Sequence, residues 1–465
     1  MDLDPTFLSR LQFTFVVSFH ILFPAFTIGL SAYIAVLEGM WLWTGRDLYS
    51  RMSQFWIRIF AVSFGMGVVS GIVMSYQFGT NWSRFSTAAA NVAGPLLTYE
   101  VMTAFFIEAT FLGILLFGRN RVSRTVHFVS AVMVALGTLL SSFWILSANS
   151  FMHTPAGVIE RDGIFYVQSW WDAIFNPSFP YRLSHMVTAA FLTTAFVVIG
   201  VSAWYLRRNR NLPEAQAMFS MTLWLVTVLA PLQILLGDLH GLNTLEYQPA
   251  KIAAMEGHWE PQTGAPFIVF ALPDMAAARN HLAIEIPKAS SLILTHELNG
   301  AVPGLKQWPP EDRPYVPIVF WAFRVMIAIG FFMAFVALVS LVLRWQGRLF
   351  TTPWFHTLCQ WCLPIGFIAL LAGWTTTEVG RQPWVIQGLM RTADASSPAL
   401  TGRGVLTSLI VYMVVYAIIF GSGVYYMSRL VRTGPETTET PPEDDRFKSP
   451  KRPLSVPEAS MRAGR

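Results

Sequence analysis

A carboxylate and a guanidinium, Glu378 and Arg381, stand three residues apart in the stretch Gly373-Trp374-Thr375-Thr376-Thr377-Glu378-Val379-Gly380-Arg381-Gln382-Pro383-Trp384. That stretch closes a long apolar run, so both groups lie close to a membrane boundary. Ionisable groups there are costly, and this makes them functional candidates. On a helix the spacing puts them on one face. The pair reads as a buried salt bridge or as a carboxylate ligand to a haem iron beside an arginine that holds a haem propionate.

Other residues inside apolar runs carry similar alternatives. His20, in Ser18-Phe19-His20-Ile21-Leu22, is a satisfied core imidazole or a haem ligand. His185 opens a later run near an interface, where a plain interfacial histidine is the ordinary case. Met326 is a core filler by itself. Paired with a histidine on another helix it would complete a six-coordinate His/Met haem. Arg324 beside it would meet a propionate or snorkel to the interface. Glu100 and Glu108 share one run, about 12 Å apart in rise and about 80° in rotation on an ideal helix. Two carboxylates stacked in depth suit a proton relay; the plainer reading pairs each with a neighbouring base. Cys359 and Cys362, the two cysteines, read as packed thiols, because a zinc or iron–sulfur site usually needs four ligands.

The elements that position these residues are membrane spans. Hydrophobic residues make up 54% and charged residues 13% of the chain, and mean hydropathy is +0.47. Soluble domains carry about 25% charged residues. Crossing a hydrocarbon core takes about 20 apolar residues. Nine such runs fall at roughly 14–43, 54–78, 95–118, 126–150, 183–206, 219–242, 317–343, 355–377 and 404–430. Arg46 and Arg51, then Arg119, Arg121 and Arg124, then Arg207, Arg208 and Arg210, then Arg344 and Arg348 occupy alternate short loops. The basic-loop bias makes that side cytoplasmic. The expected fold is therefore an all-α integral membrane protein of about nine transmembrane helices, with the N-terminus outside and the C-terminus cytoplasmic. Asp2 and Asp4 argue against a cleavable leader. The net charge of +5 resides mostly in the loop arginines, so nucleic acid is not an expected partner. Residues 1–432 form the membrane domain, and 433–465, rich in Pro, Glu, Thr and Lys, read as a disordered cytoplasmic tail. The outer loop 243–316, carrying Lys251 and Glu256, has enough chain to build a substrate site.

Three function classes fit these features. A transporter would show buried charges, but no broken spans recur in matching positions of two halves. A pure haem b electron-transfer subunit would need more histidine pairs. A haem redox enzyme accommodates the histidines, the methionine and the acids together.

Ordered motifs from about residue 8 to 430 resemble subunit I of the cytochrome bd-type quinol oxidases. Ser9-Arg10-Leu11-Gln12-Phe13 with His20 resembles that family's SRLQF…H start. Phe78-Gly79-Thr80-Asn81-Trp82-Ser83 resembles its FGTNWS loop, and Ala104-Phe105-Phe106-Ile107-Glu108-Ala109-Thr110-Phe111 its AFF.E.TF. Trp144-Ile145-Leu146 with Ala148 and Asn149 resembles its WIL.AN. Gln248, Lys251, Glu256 and Trp259 resemble its quinol-loop motif, and Phe323-Arg324-Val325-Met326 its FR.M. The stretch around Glu378 resembles its GW…E.GRQPW signature.

The resemblance implies that His185 and Met326 are axial ligands of a low-spin haem b. His20 and Glu378 would each ligate one of the two remaining haems, a high-spin haem b and a haem d, with the individual assignment open. Arg10, Arg324, Arg381 and Trp374 would bind cofactor, and Lys251 and Glu256 would bind quinol. Glu100 would sit beside the oxygen-reducing haem, and Glu108 in a proton path with Ser141 and His127. Only about thirty residues separate His281 from Tyr315, which resembles the short-loop branch that includes cyanide-insensitive oxidases. In that branch the third haem is d or b. The implied protein is the catalytic subunit of a terminal oxidase in the bacterial cytoplasmic (inner) membrane. It would oxidise quinol, reduce dioxygen to water and build a proton gradient without pumping. Subunit II and membrane lipids are expected partners, with a small single-span subunit as a further candidate.

Overall fold

The computed structural model describes residues 4–208 and 213–435. Arg210 and nearly all of the expected tail therefore lie outside the described residues. Among those described, nine helices are long and apolar enough to cross a membrane. They are α1 (Pro5–Thr44), α2 (Asp47–Thr80), α3 (Ala90–Phe117), α4 (Arg124–His153), α5 (Phe179–Arg207), α6 (Pro213–Tyr247), α7 (Val316–Trp345), α8 (Pro353–Val379) and α9 (Gly402–Thr433). Each overlaps an expected run.

Boundaries moved where caps outweigh hydropathy. Helix α1 starts at Pro5 because Asp4 accepts a hydrogen bond from the Thr6 N–H at 2.9 Å and proline needs no N–H partner in the first turn. It ends at Gly45, whose φ of 68° suits the left-handed cap. Ser123 caps α4 and Thr401 caps α9 in the same manner as Asp4. Helix α6 runs on to Tyr247, so the long loop spans 248–315 instead of 243–316.

Helix α5 is the central post, with 78% of its apolar window buried. Its neighbours reach it through glycines. A Cβ on Gly29 of α1 would lie 2.4 Å from Thr194 Oγ1 and 2.9 Å from the Ala190 carbonyl oxygen. One on Gly366 of α8 would lie 2.6 Å from Thr193 Cα. Gly29→Val is therefore expected to destabilise the detergent-solubilised protein by about 1–3 kcal/mol through overpacking. The thermal midpoint checks this, and an unchanged midpoint would mean that α1 and α5 do not meet at Gly29.

Helix α3 contains one π-helical turn, Val101–Phe105, between Glu100 and Glu108. Such turns bond i to i+5 and often mark functional positions. The ideal-helix angle expected between these acids therefore does not hold. Both meet α4, Glu100 at Ser141 and Glu108 at Gly137, which are one helical turn apart.

The long loop folds over one end of the bundle, called the loop end below. It contains a short helix, Pro249–Glu256, an antiparallel hairpin of β1 (Phe267–Asp274) and β2 (Arg279–Ile286), and a second short helix, Ala289–Thr295. Ile252, Trp259, Ile268 and Leu294 pack with Phe320 of α7 into a separate small core. The arginine-bearing short loops close the opposite, basic end. Cys359 and Cys362 are buried free thiols on that side of α8, in line with the packed reading.

Candidate functional site

Glu378 ends α8 at the loop end, where α4 and the segment that follows α8 converge on its carboxylate. Asn149 of α4 donates from Nδ2 to Oε1 at 3.0 Å, and His153 Nε2, one turn further on, lies 3.2 Å from the same oxygen. Arg381 donates to Oε2 and to the Val385 carbonyl. Arg182, in the first turn of α5, reaches Asn149 Oδ1 at 3.4 Å. The residue three positions after Glu378 thus does make the salt bridge, but the carboxylate is also shared with α4.

The loop helix Pro249–Glu256 extends this cluster. Lys251 Nζ lies 2.9 Å from His153 Nδ1 and donates to Gln248 Oε1 at 2.7 Å. Gln248 in turn donates to Gln387 Oε1 at 3.0 Å. Lys251 crosses directly over Gly380, where a Cβ would come within 2.8 Å of its Cγ. This gives the glycine between Glu378 and Arg381 a physical reason. Burial, with repulsion from Arg182 and Arg381, holds the Lys251 amine well below the usual lysine range despite the attraction of Glu378.

Glu256, on the same short helix, faces elsewhere. It accepts a hydrogen bond from Ser290 Oγ at 3.0 Å and pairs with Arg324 Nη2 at 3.7 Å. Arg324 donates to the carbonyls of Ile268 at 2.7 Å and Met255 at 3.0 Å, and lies over the rings of Phe267 and Phe320. In this structure it clamps the loop to α7. Arg10 is exposed on α1. Trp374, like Ile21 and Leu22, packs against the small core of Ala25, Ile28, Ala190 and Leu370.

The residues present fit haem. Imidazole, thioether and carboxylate are the donor types that axial ligation uses. Three candidate ligands each face a glycine on a neighbouring helix. A Cβ would lie 3.1 Å from His20 Cε1 at Gly71, 3.3 Å from His185 Cε1 at Gly237 and 3.0 Å from Met326 Sδ at Gly373. Ser70 Oγ is 3.0 Å from His20 Nδ1, and Gln233 Nε2 is 3.2 Å from His185 Nε2. Among the described residues, Nε of Arg182, Nε of Arg381 and Nη2 of Arg324 are buried with no hydrogen-bond partner. Buried guanidinium donors left open in this way suit anionic propionates.

A second cluster lies on α3 and α4. Ser141 Oγ donates to Glu100 Oε1 at 2.7 Å. Glu108 is 7% exposed, and its Oε1 has no partner. His127 lies nearer the basic end. Its Nδ1 is 2.9 Å from Glu38 Oε2, and its Nε2 is 3.2 Å from the Leu115 carbonyl. Ser141 and His127 therefore do not touch each other; each serves a different acid.

Sequence reasoning missed Glu38, Arg119, His153 and Arg182 as site residues. His153 and Arg182 fall just beyond the apolar windows, at 150 and 183. Glu38 stands well inside an apolar run, and the rule that singled out Glu100 and Glu108 applies to it equally.

Comparison with known proteins fits this arrangement. Residues 8–435 match the family model for cytochrome bd terminal oxidase subunit I. The cytochrome bd ubiquinol oxidase subunit 1 of Bacillus subtilis (strain 168) is 35% identical, over 92% of this chain and 94% of that protein. The cytochrome bd-II ubiquinol oxidase subunit 1 of Escherichia coli (strain K12) is 32% identical, over 93% of this chain and 97% of that protein. The solved structure of the bd oxidase from Geobacillus thermodenitrificans superposes with a TM-score of 0.88 at 30% identity, covering 94% of this chain and all of that one. The nine spans, the donor set and the length of these matches place the chain in the cytochrome bd terminal oxidase subunit I family, as a multi-pass subunit of a haem-containing terminal quinol oxidase of the bacterial inner membrane.

Proposed function

We propose that this chain is the catalytic subunit of an electrogenic, non-pumping quinol:dioxygen oxidoreductase. The arginine-rich loops put the basic end in the cytoplasm and the loop end outside. Lys251 and Glu256 form the quinol site at the outer face. His185 and Met326 hold a low-spin haem b, and His20 and Glu378 hold the other two haems. Arg381, Arg324 and Arg10 with Trp374 complete the cofactor contacts. When bound, the haems supply one-electron transfer and the place of dioxygen reduction. The third is haem d or haem b.

The chain's own residues divide the remaining work. Lys251 orients a quinol hydroxyl, and Glu256 holds the loop that bounds the site through Ser290 and Arg324. The Lys251–His153–Glu378 contacts tie that site to a haem-ligand position within a few ångströms, and this continuity carries the proposal. Arg381 and Asn149 fix the Glu378 carboxylate. The helix-borne acids Glu108 and Glu100, with Ser141, lead protons inward from the cytoplasmic side. Two quinols release four protons outside for every dioxygen that takes up four from inside, so charge separates without a pump. Subunit II is the expected partner, with a small single-span subunit as a further candidate. The apolar face of α9, including Ile410, Val414 and Ile418, suits lipid or such a subunit.

A reduced-minus-oxidised spectrum of the purified enzyme, with haem extraction and quinol-driven oxygen consumption, tests the whole reading. Three haems and turnover with quinol are expected; a protein with no haem would overturn it. The low-spin assignment has its own test. Met326→Leu is expected to keep the fold and haem content while converting one haem b from low to high spin, because leucine offers no lone pair. An unchanged low-spin band after both Met326→Leu and His185→Ala would rule the assignment out.

A further inference from the structure

Among the described residues, Glu38 is the most completely buried acid outside the Glu100–Glu108 relay. It is fully buried in α1, five residues before Trp43 in an otherwise apolar stretch, and its two oxygens meet three elements. Arg119, from the loop after α3, donates at 2.9 Å to Oε1 and 3.2 Å to Oε2. Ser53 of α2 donates to Oε1, and His127 of α4 lies 2.9 Å from Oε2. Arg119 is the member of this group that touches water, with 15% of its side chain exposed. Arg119 and Arg124 lie on Trp41, 4.4 and 4.6 Å from its ring centre.

A polar seam runs inward from this group between α1 and α4. His127, Ser130, Thr138 and Ser141 fall at intervals of three, eight and three along α4, close to one face. Ser31 stands seven residues, about 10 Å, from Glu38 along α1. It meets Thr138 across the seam, oxygen to oxygen at 3.0 Å. Thr138 adjoins Gly137, the residue against which Glu108 rests. The seam therefore ends at a buried carboxylate whose Oε1 has no partner. An unpartnered buried acceptor is costly and calls for a donor such as water. The two ends of the seam, a solvent-linked acid–imidazole pair and an acid lacking a donor, are independent observations.

We propose that Glu38 with His127 is the proton-loading site of this subunit, delivering protons along the α1/α4 seam to Glu108. The proposal rests on the oxidase reading above. A proton taken from cytoplasmic water is shared between Glu38 and His127. It leaves for water in the seam beside Ser31 and Thr138 and is accepted by Glu108, which passes it toward Glu100 and Ser141. Each acceptor returns to its starting state, and no electron moves. Arg119 keeps its charge throughout and acts as a positioning residue that holds the Glu38 carboxylate toward the loop. Ser53 and the Arg119–Ser50 carbonyl contact, 3.2 Å, fix the far side of the pair. The route lies within this chain and needs no residue of a partner subunit.

The competing role is a latch that merely ties three loops together, and the experiment separates the two. Holoenzyme variants in proteoliposomes containing a pH dye would be given quinol and dioxygen, and proton uptake and haem spectra followed together. Glu38→Gln is expected to slow uptake and oxygen reduction by about a hundredfold, the low end for loss of a positioned proton-transfer group. Quinol reduction of the haems should stay at the wild-type rate. Glu38→Asp should restore much of the uptake. Thr138→Val, isosteric and remote from the ion cluster, should also slow uptake while leaving the thermal midpoint nearly unchanged, which a latch does not predict. Should Glu38→Gln fail to assemble, Thr138→Val and Ser31→Ala decide. Wild-type uptake in folded, haem-loaded Thr138→Val and Ser31→Ala overturns the proposal. If wild-type enzyme itself reduced dioxygen without consuming inside protons, the oxidase reading would be the part that fails.

Discussion

Lys251→Met is expected to slow quinol-driven reduction of the haems by about tenfold to a hundredfold, taking about 1–3 kcal/mol for buried hydrogen-bonding groups left unpaired. The substitution keeps the length of the side chain over Gly380 but leaves His153 Nδ1 and Gln248 Oε1 without the Nζ partner. Burial and the nearby Arg182 and Arg381 shift the Lys251 amine toward its neutral form, which can accept from a quinol hydroxyl as well as donate to it. Haem content and spin states should stay as in the wild type, since the substitution removes no ligand. Stopped-flow reduction by quinol under anaerobic conditions measures the effect. Wild-type rate and quinol affinity in this variant would move the site elsewhere in the protein. The same burial has a stability signature. The unfolded chain binds the Lys251 proton up to about pH 10.4, and the native chain releases it earlier. Native stability owed to this group therefore rises with pH across that interval and falls as pH drops. Wild-type enzyme should gain stability relative to Lys251→Met as pH rises toward about 10, by at most about 1.4 kcal/mol per pH unit. Glu256→Gln should act differently, by loosening the Arg324 clamp on the loop, and so raise the quinol concentration needed more than it lowers the maximal rate.

The contrast between Lys251 and Glu256 shows what can be read from a sequence and what cannot. That both stand in one outer loop is legible from the sequence, because no apolar run long enough to cross a membrane lies between 243 and 316; that they share a short helix is not. That one faces Glu378 and the other Arg324 depends on which side of the helix meets α4 and which meets α7, a matter of tertiary packing. The nine spans were legible because each needs a long apolar window, a property of local composition. The ends of α1 and α6 were not, because capping by Asp4 and continued hydrogen bonding to Tyr247 extend helices beyond their apolar part. Arg182 and His153 escaped for the same reason: polar side chains at span ends look like ordinary interfacial residues until a partner 33 or 225 positions away appears, as Asn149 and Glu378 do. Arg324 next to Met326 suggests a propionate contact, and its Nη2 stays open for one; that its Nε and Nη1 also clamp two loop carbonyls follows only from tertiary packing. An ideal helix would set Glu100 and Glu108 about 80° apart, and a single π turn between them changes the faces they present.

That π turn bears on the second large effect. A proton bound for a buried haem cannot cross about 30 Å of hydrocarbon unaided, so protonatable groups must cover part of the distance. Glu108 rests against Gly137 and Glu100 against Ser141, so the two acids meet one face of α4 in sequence. Glu108→Gln preserves the size of the side chain and most of its packing on Gly137 but removes the exchangeable proton. It is expected to slow dioxygen reduction by about 10²–10⁴-fold, the usual range for a positioned proton-transfer group. Quinol should still reduce the first haem at the wild-type rate, because Lys251 and His153 lie at the other end of the bundle. Glu100→Gln should cut closer to the chemistry, since it also weakens the hydrogen bond that Ser141 donates. A merely structural Glu108 predicts something else: equal slowing of quinol oxidation and oxygen reduction, together with a lower thermal midpoint. Flow-flash kinetics on the fully reduced enzyme separate the two, because reduction by quinol is already complete when dioxygen is admitted. Wild-type proton uptake and oxygen reduction in Glu108→Gln would remove this residue from the path, and would leave its buried, unpartnered oxygen to be explained by packing alone.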